Sequence, residues 1–297
     1  MNVAVFGASG TIGTALLPEL AAAHDVVAVS RSEQRKTAGV SWKIADATDR
    51  DAVARVLEGI DVAYYLVHSL GRSDFESQDL KAAETTAREA ERAGLRQLVY
   101  LGGLGDDSPD LSPHLRSRRE TGLRLASTSV PVTTLRAAMV VGRGSAAFET
   151  IVALVDRLPA MVAPRWVSTR TQPVALRDVV AYLSGVCGLD PALGVAYDLG
   201  GPEVMSYREM MERIARLRGK RPLILEVPVL TPYLSSLWLH LVTPVNAAVT
   251  RPLIEGLRTE TVVRDDHIRR LLPIELTPFD AAARSALAQH TDTRSAY

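Results

Sequence analysis

The sequence predicts an α/β fold: a doubly wound parallel sheet with a small, mostly helical part on its C-terminal side. Two observations favour this class. Through the first half, short β-branched runs alternate with helical patterns, and strands joined in this way pair in parallel through right-handed crossovers. The strand runs are apolar at consecutive positions, as expected for strands that are buried on both faces. After about Val140 this alternation ends.

The elements of the first half follow in a regular order. The predicted strands are Asn2–Phe6, Val26–Val29, Trp42–Ala45, Asp61–Val67, Gln97–Leu101 and Val132–Leu135. The predicted helices between them are Thr11–Ala23, Asp49–Glu58, Phe75–Ala93 and Leu115–Ser127. Gly59 and Gly94 each follow a helical pattern directly, which is where a glycine commonly ends a helix.

The second half has a different organisation. The predicted helices are Phe148–Leu158, Arg177–Val186, Tyr207–Arg218 and Pro278–Gln289, with one strand at Val195–Leu199. Ser206 and Glu209 form a capping-box pattern at the start of the third of these helices. We therefore expect a first domain over residues 1–145, a second part over 146–290 that is interleaved with it, and a frayed tail over 291–297.

The composition excludes several functions. The 297 residues contain 34 Lys plus Arg and 34 Asp plus Glu, so bulk charge does not favour nucleic-acid binding. The single cysteine, Cys187, allows no intrachain disulfide and favours a reducing compartment such as the cytoplasm. One Cys and six scattered His residues give no metal-ligand spacing, so no metal site is predicted. Neither a signal peptide nor a membrane-spanning run is expected.

A glycine motif lies between the first strand and the first helix. It reads Gly7-Ala8-Ser9-Gly10-Thr11-Ile12-Gly13. The first glycine suits a tight turn, the second allows close approach of a pyrophosphate, and the third allows the helix to pack near the sheet. The free N–H groups and positive end of the helix then attract phosphate. The motif predicts a dinucleotide site that includes Gly7, Ser9, Gly10, Thr11, Ile12 and Gly13; a turn that serves packing alone is the alternative.

The residues after the second and third strands bear on which dinucleotide is bound. Proteins that use NAD usually carry a carboxylate after the second strand, whereas this chain carries Arg31 there. A guanidinium pairs with a 2′-phosphate, so NADP is predicted in preference to NAD, unless Arg31 is only a solvated loop cation. After the third strand, Asp46 and Ala47 are predicted to contact the cofactor. Asp46 either accepts from the adenine amino group or caps the next helix, as Thr48 or Asp49 also can.

These features together resemble a known superfamily. The glycine motif, Arg31, Asp46 and the sixth strand with Arg136 resemble the short-chain dehydrogenase/reductases in their atypical, extended form, which includes NmrA-like and sugar-nucleotide-epimerase-like proteins. Four segments resemble a bacterial subfamily of these proteins more closely: Tyr64–Gly71, His114–Arg118, Val141–Glu149 and Pro164–Val167. The resemblance covers roughly residues 1–290. It implies a Rossmann domain with a small C-terminal substrate-binding part, the stretch Gln172–Val179 crossing between them. Asp178 in that stretch is expected to be a helix N-terminal carboxylate.

The proton-transfer groups usual in that superfamily are not found in this chain. Active members have a Ser after the fifth strand and a Tyr-x-x-x-Lys on the next helix; here the strand ends in glycines and the helix carries His114 and Arg118. His114 can act as an acid, with a surface position as the alternative, and Arg118 can bind the nicotinamide ribose. Val67 and His68 end the fourth strand at the edge where ligands gather. Val67 is predicted to contact the cofactor. His68 contacts substrate or cofactor, or only the local backbone.

Two questions stay open at this level. The apolar segment Leu223–Val245 is either a lobe that packs on the first domain, a substrate lid, a homo-oligomer face or a peripheral membrane contact. Arg143 and Trp166 are candidates for the wall of the substrate cleft, with the core as the alternative for Trp166. The predicted function is an NADP(H)-binding oxidoreductase or epimerase/dehydratase-like protein that acts on a small, apolar carbonyl or alcohol. The alternative is a non-catalytic NADP(H) sensor of the NmrA-like type.

Overall fold

A computed structural model of the chain describes residues 1–68, 75–105, 111–157, 160–163, 165–221, 223–226 and 256–292. Its strands are β1 (Asn2–Phe6), β2 (Asp25–Ser30), β3 (Val40–Ile44), β4 (Val62–Tyr65), β5 (Gln97–Gly103), β6 (Val132–Ala137), β7 (Val140–Val141), β8 (Ala160–Ala163), β9 (Arg170–Thr171), β10 (Val174–Ala175), β11 (Ala196–Leu199), β12 (Met205–Ser206) and β13 (Leu223–Glu226). Its helices are α1 (Thr11–Ala21), α2 (Arg50–Leu57), α3 (Phe75–Ala93), α4 (Pro113–Leu125), α5 (Ala146–Arg157), α6 (Leu176–Gly185), α7 (Tyr207–Leu217), α8 (His267–Leu271) and α9 (Phe279–Asp292).

Seven strands form the main sheet, in the order β11-β6-β5-β4-β1-β2-β3. Every neighbouring pair in it is parallel. This is the doubly wound architecture that the alternating pattern predicts, and the fold class is confirmed. The strand order reverses between β1 and β4, and the crevice at such a reversal is where open α/β sheets bind ligands.

Apolar side chains on both faces of the sheet explain why it is covered by helices. On one face Val5 and Tyr64 pack in a core with Leu16 of α1 and Leu183 of α6. On the other face the core includes Tyr65 and Tyr100 together with residues of α2 and α3. Tyr65 and Tyr100 are fully buried. Strands β4 and β5 therefore pack side chains on both faces of the sheet.

The second half adds a third core and several short strands. Phe148 of α5, Met210 and Ile214 of α7 and Ala283 of α9 form this core beside the main sheet. The strand pairs β7-β10, β9-β12 and β8-β13 were not predicted, because two to four residues give no readable alternation. β11, predicted as a strand in the second half, pairs with β6 and so completes the main sheet.

Several predicted boundaries need correction. Helix α4 begins at Pro113 rather than Leu115, because Ser112 caps it and proline suits the first turn of a helix. Strand β5 continues to Gly103, since its pairing with β6 extends that far. The tail was predicted to fray from residue 291, but α9 continues to Asp292. Of the apolar segment Leu223–Val245, only β13 is described, and residues 227–245 lie outside the described residues.

Within the described ranges, the structure contains no helix with the length and apolar character needed to cross a bilayer.

Candidate cofactor and active site

One cleft opens at the carboxyl ends of the main-sheet strands, where the strand order reverses. Its volume is about 610 Å³, within the range of small-molecule and cofactor sites. All the residues predicted to bind the cofactor or to act in catalysis line this cleft: Gly7, Ser9, Gly10, Thr11, Ile12, Gly13, Arg31, Asp46, Ala47, Val67, His68, His114 and Arg118. The structure thus brings together groups from the turn after β1, the ends of β2, β3 and β4, and helix α4.

Close backbone contacts explain why two positions of this turn are glycine. Gly7 has a φ of 79°, and a Cβ there would lie 2.7 Å from the carbonyl carbon of Leu66, just after β4. A Cβ on Gly13 would lie 2.6 Å from the Cα of Ala8, so this glycine lets α1 start against the turn. A Cβ on Gly10 would meet only the Gly7 carbonyl oxygen, at 3.3 Å. Gly10 therefore faces the cleft, and packing does not account for it.

The start of α1 is suited to a phosphate group. Gly10 is the N-cap residue, so no side chain accepts hydrogen bonds from the first N–H groups of α1, and the first turn has no acidic residue. Unsatisfied N–H groups and the positive end of the helix dipole favour an anion at this point. Thr11 donates a hydrogen bond from Oγ1 to the carbonyl oxygen of Gly144, 2.8 Å away, which ties the turn to the residues before α5. We call this region, Gly7–Gly13, the phosphate end of the cleft.

Arg31 and Asp46 line the cleft on the β2–β3 side of the phosphate end. Arg31 is exposed and follows β2 directly. Asp46 accepts hydrogen bonds from the N–H and the hydroxyl of Thr48, and these bonds, with a smaller effect of Arg31, lower the pKa of its carboxyl. The helix-capping alternative for Asp46 and Thr48 is wrong, because Asp49 caps α2 by accepting from the N–H of Ala52.

On the other side of the phosphate end, β5 ends in two glycines that line the cleft. Gly102 and Gly103 stand where the superfamily's serine was expected, so no hydroxyl is present at these positions. The Arg118 guanidinium donates a hydrogen bond to the carbonyl of Leu101, and its carbon lies 5.2 Å from the centre of the Tyr100 ring. The Tyr100 hydroxyl in turn donates to the carbonyl of Arg118 at 2.8 Å. These contacts hold the arginine at the edge of the cleft.

Two histidines meet beside Arg118. The rings of His68 and His114 have their centres 5.1 Å apart, so the alternative that His114 is a surface residue is wrong. His68 Nδ1 lies 3.1 Å from a carboxylate oxygen of Asp79 on α3. Nε2 of His68 and Nδ1 of His114 are buried and have no hydrogen-bond partner in the described part of the chain. We call His68, Asp79, His114 and Arg118 the proton-transfer end of the cleft.

Burial sets the charge state of both imidazoles. It lowers the pKa of His68, although the hydrogen bond with Asp79 acts in the opposite direction. It lowers the pKa of His114 further, and the neighbouring His68 and Arg118 charges add to the effect. Both rings are therefore neutral near pH 7, and each has a nitrogen that can exchange a proton with a ligand.

Apolar side chains form most of the remaining wall, and polar residues such as Gln78, Ser145 and Thr261 also line it. Leu104, Leu115, Met139 and Leu257 line it, together with the ring of Tyr207. Burial raises the pKa of Tyr207 to about 12, while hydrogen bonds with two threonine hydroxyls act against this.

Arg143 and Trp166 do not line the cleft. Arg143 is exposed. Trp166 is buried in the core of the second part, and its ring makes an edge-to-face contact with the Tyr207 ring at a centre-to-centre distance of 6.0 Å.

Asp79 and Tyr207 were not predicted as site residues. A signal for Asp79 was present: it stands on the same helical stripe as Ala82, Ala83 and Thr86, which are all buried. A carboxylate on the buried stripe of a helix needs a partner, and that need points to a site. Tyr207 carries no comparable signal. Across the described ranges, no group of three or more His, Cys, Asp or Glu side chains is arranged to hold a metal ion.

Comparisons with known proteins identify a dinucleotide-binding family and two similar curated proteins. Residues 7–139 match a protein family described as NAD(P)H-binding. A reductase of Streptomyces griseus that acts on (4-alkanoyl-5-oxo-2,5-dihydrofuran-3-yl)methyl phosphate is 29% identical over 75% of this chain and 76% of its own length. A mitochondrial protein of Arabidopsis thaliana, NADH dehydrogenase [ubiquinone] 1 alpha subcomplex subunit 9, is 24% identical over 75% of this chain and 60% of its own length.

Solved structures share the fold at low sequence identity. The triphenylmethane reductase of Citrobacter, crystallised with NADP(H), superposes with a TM-score of 0.77 at 18% identity, covering 96% of this chain and 100% of that one. A nucleoside-diphosphate-sugar epimerase of Staphylococcus aureus gives 0.78 at 14% identity, with the same coverage. Residues 7–139 thus resemble an NAD(P)H-binding family, and the chain as a whole shares the fold of solved epimerases and reductases.

Proposed function

We propose that the protein is an NADP(H)-dependent oxidoreductase that reduces a carbonyl compound, or oxidises the corresponding alcohol, in an apolar cleft. The observation that carries the proposal is that one cleft contains both an uncapped helix N-terminus and two half-buried imidazoles, each with a buried ring nitrogen that has no partner among the described residues. The first suits a diphosphate, and the second suits proton exchange with a substrate oxygen.

The residues present fit NADP(H). The first N–H groups of α1, with Gly10 at their start, would hold the diphosphate. Arg31 would pair with the 2′-phosphate, because its side chain is exposed at the cleft. Asp46 is the one acidic residue among the described residues that line the cleft, so little negative charge there would repel the phosphate. Asp46 and Ala47 would contact the adenosine, and Val67 the middle of the cofactor. When bound, the cofactor supplies or accepts hydride.

This chain's own groups would then handle the proton and the charge. His68 and His114 would exchange a proton with the substrate oxygen, because each presents a buried nitrogen that lacks a partner in the described residues. Arg118 would bind the nicotinamide ribose, held in place by the Leu101 carbonyl. Leu104, Met139 and Leu257 would exclude water from the reacting atoms, which strengthens each of these electrostatic contacts.

The substrate class follows from the wall of the cleft. The described wall beyond the histidines is mostly apolar, so it favours a small molecule with a largely apolar body and one carbonyl. The S. griseus relative is named as a reductase, and its substrate name contains an oxo-dihydrofuran ring, an alkanoyl group and a methyl phosphate. The carbonyl groups in that name support a carbonyl substrate here. We propose residues 146–290 as the part that binds it, and the cytoplasm as the compartment.

The test is a two-stage measurement on the purified protein. Nicotinamide fluorescence on mixing with NADPH reports binding, and a panel of apolar carbonyl compounds then reports NADPH consumption. We expect binding and turnover, with turnover reduced about 100-fold in the His68→Ala, His114→Ala double variant, in keeping with the usual contribution of acid–base groups. Loss of turnover without loss of NADPH binding would place these residues in the chemical step.

A second candidate is a non-catalytic NADP(H) sensor. The glycines at the end of β5, in place of a serine, favour it, and so does a relative that is named as a subunit of a larger assembly. NADPH binding without turnover of any carbonyl compound, and without any change on replacing His68 and His114, would select this candidate.

A further inference from the structure

Asp79 is a buried carboxylate that the proposed function does not use. It lies on α3, ten residues before Glu89, with its side chain 3% exposed. One of its oxygens lies 3.1 Å from Nδ1 of His68 and accepts a hydrogen bond from the Ser117 hydroxyl at 3.4 Å. A carboxylate in this setting is costly to bury, so its retention beside a cleft histidine calls for an explanation.

The contact determines which nitrogen of His68 carries the proton. A carboxylate only accepts, so Nδ1 must be the protonated nitrogen in the neutral ring. Nε2 then carries a lone pair. This nitrogen is buried, and no described residue donates a hydrogen bond to it. His68 lines the cleft, so a ligand hydroxyl is the partner that the arrangement lacks.

The other titratable groups near His68 explain why a carboxylate is needed. From α4, His114 and Arg118 face the ring, and the Arg118 charge opposes protonation of both imidazoles. From β4, Tyr65 lies in the same buried region and feels the Asp79 charge. Two imidazoles at this distance do not both become charged, and of the two, His68 is the one that contacts a carboxylate among the described residues. A single added proton therefore goes to His68.

We propose that Asp79 is a positioning residue: it holds His68 in the Nδ1–H tautomer, so that Nε2 is the atom that exchanges a proton with a hydroxyl of the substrate. The proposal deepens the proposed function and rests on it. In alcohol oxidation the substrate O–H bond breaks, an Nε2–H bond forms, and the imidazolium is balanced by Asp79. Carbonyl reduction requires that His68 first takes up a proton from solvent at Nε2; this Nε2–H bond then breaks as the new O–H bond forms, and the ring returns to the neutral Nδ1–H form. The substrate carbon would lose hydride to the bound cofactor in oxidation and gain it in reduction. His114 stays neutral in both directions.

The test reads the tautomer directly in the cofactor-free protein. Long-range proton–nitrogen NMR correlations on protein labelled with ¹⁵N-histidine distinguish the two ring nitrogens, and His68→Gln assigns the signals. In the wild type at pH 7.5 we expect His68 to carry its proton on Nδ1. Asp79→Asn should lower the pKa of His68 by about 1 or more, because an opposite charge at this distance is removed. It should also mix the two tautomers.

Glu89→Gln is the matched control. Glu89 is also a buried carboxylate of α3, but it pairs with Arg50 and Arg92 rather than with a cleft residue. The Glu89→Gln variant should leave the tautomer and pKa of His68 unchanged. Wild-type His68 protonated on Nε2 would overturn the proposal even if Asp79→Asn fails to fold. So would a folded Asp79→Asn protein with an unchanged His68 titration.

A kinetic readout separates this proposal from the proposed function. For an alcohol that the wild type oxidises, Asp79→Asn should move the acidic limb of the pH profile of kcat/KM to lower pH. It should also reduce kcat more than it changes KM. If the wild type binds no NADPH, the proposed function fails, while the NMR result still decides the role of Asp79.

Discussion

At the phosphate end of the cleft, the groups that face the ligand all come from one turn between β1 and α1, whereas the proton-transfer end is assembled from the end of β4, from α3 and from α4. Gly7 and Gly13 are held by backbone contacts within or next to their own turn. His68 and Asp79 meet only because α3 packs against the sheet beside α4. The first region is local in sequence and the second is not.

This difference has a physical consequence. At Gly7 and Gly13 an added Cβ would clash with backbone atoms, so substitutions at these positions act through steric overlap. A set of side chains on three elements depends on charge and hydrogen bonding, so its substitutions act through protonation. The two regions are therefore expected to respond to different kinds of change.

The largest effect is expected at the phosphate end. In Gly13→Val the Cβ would lie 2.6 Å from backbone atoms of Gly7 and Ala8, so α1 must move. Overpacking of this kind costs about 1–3 kcal/mol of folding free energy. Thermal unfolding should show this loss, and calorimetry should show no NADPH binding.

Gly94→Ala provides the control for that variant. Gly94 has a φ of 70° and nothing within 4 Å of an added Cβ, so only backbone strain of about 1–2 kcal/mol is introduced. It should lower the melting temperature while leaving the NADPH dissociation constant unchanged. Equal loss of NADPH binding in both variants would mean that general destabilisation, not the turn, is responsible.

A smaller effect is expected for Arg31→Asp. The variant removes a guanidinium and adds a carboxylate at the edge of the cleft, and charge-assisted hydrogen bonds are worth about 1.5–3 kcal/mol. NADPH affinity should fall about tenfold or more and NADH affinity should change little. Arg35→Asp makes the same charge change at a residue that does not line the cleft and should keep the preference.

The fold could be predicted because its signals are local. Alternating apolar runs and helical patterns gave the strands that pair in the sheet, and one motif gave the phosphate end with its neighbours Arg31 and Asp46. His68 and His114 were also identified, from strand position and from the place of a missing motif. Their contact, and the pairing of Asp79 with His68, depend on how α3 and α4 pack, which no spacing in the sequence encodes. The buried stripe of α3 indicates only that Asp79 needs a partner. The short strand pairs of the second half were missed for a different reason, because two to four residues give no readable alternation.

An intermediate effect at the proton-transfer end depends on pH. Burial lowers the pKa of His68 and His114 in the folded protein, so below about pH 6.5 the unfolded chain binds protons that the folded chain does not. Stability is therefore full above this pH and falls as the pH is lowered through it. Urea unfolding between pH 5.5 and 7.5 should show the loss, and the His68→Gln, His114→Gln double variant should show a flatter profile. An unchanged slope would contradict the assigned charge states.

The smallest effect is expected at Asp46. Asp46→Ala removes the two hydrogen bonds from Thr48, worth about 1 kcal/mol each at most, and a contact with the adenosine. Asp49→Ala removes the cap of α2 at a similar cost of about 1 kcal/mol. Both variants should unfold at lower urea concentration. Only Asp46→Ala should weaken NADPH binding, by a few-fold in calorimetry; equal binding in both would remove Asp46 from the site.

The central claim is that this cleft binds NADP(H) through the start of α1 and Arg31. Parallel calorimetric titrations of the wild-type protein with NADPH and with NADH test it most directly. We expect one site per chain and an affinity for NADPH at least about tenfold higher than for NADH, a difference of about 1.4 kcal/mol. Absence of heat with both dinucleotides, or tighter binding of NADH, would contradict it.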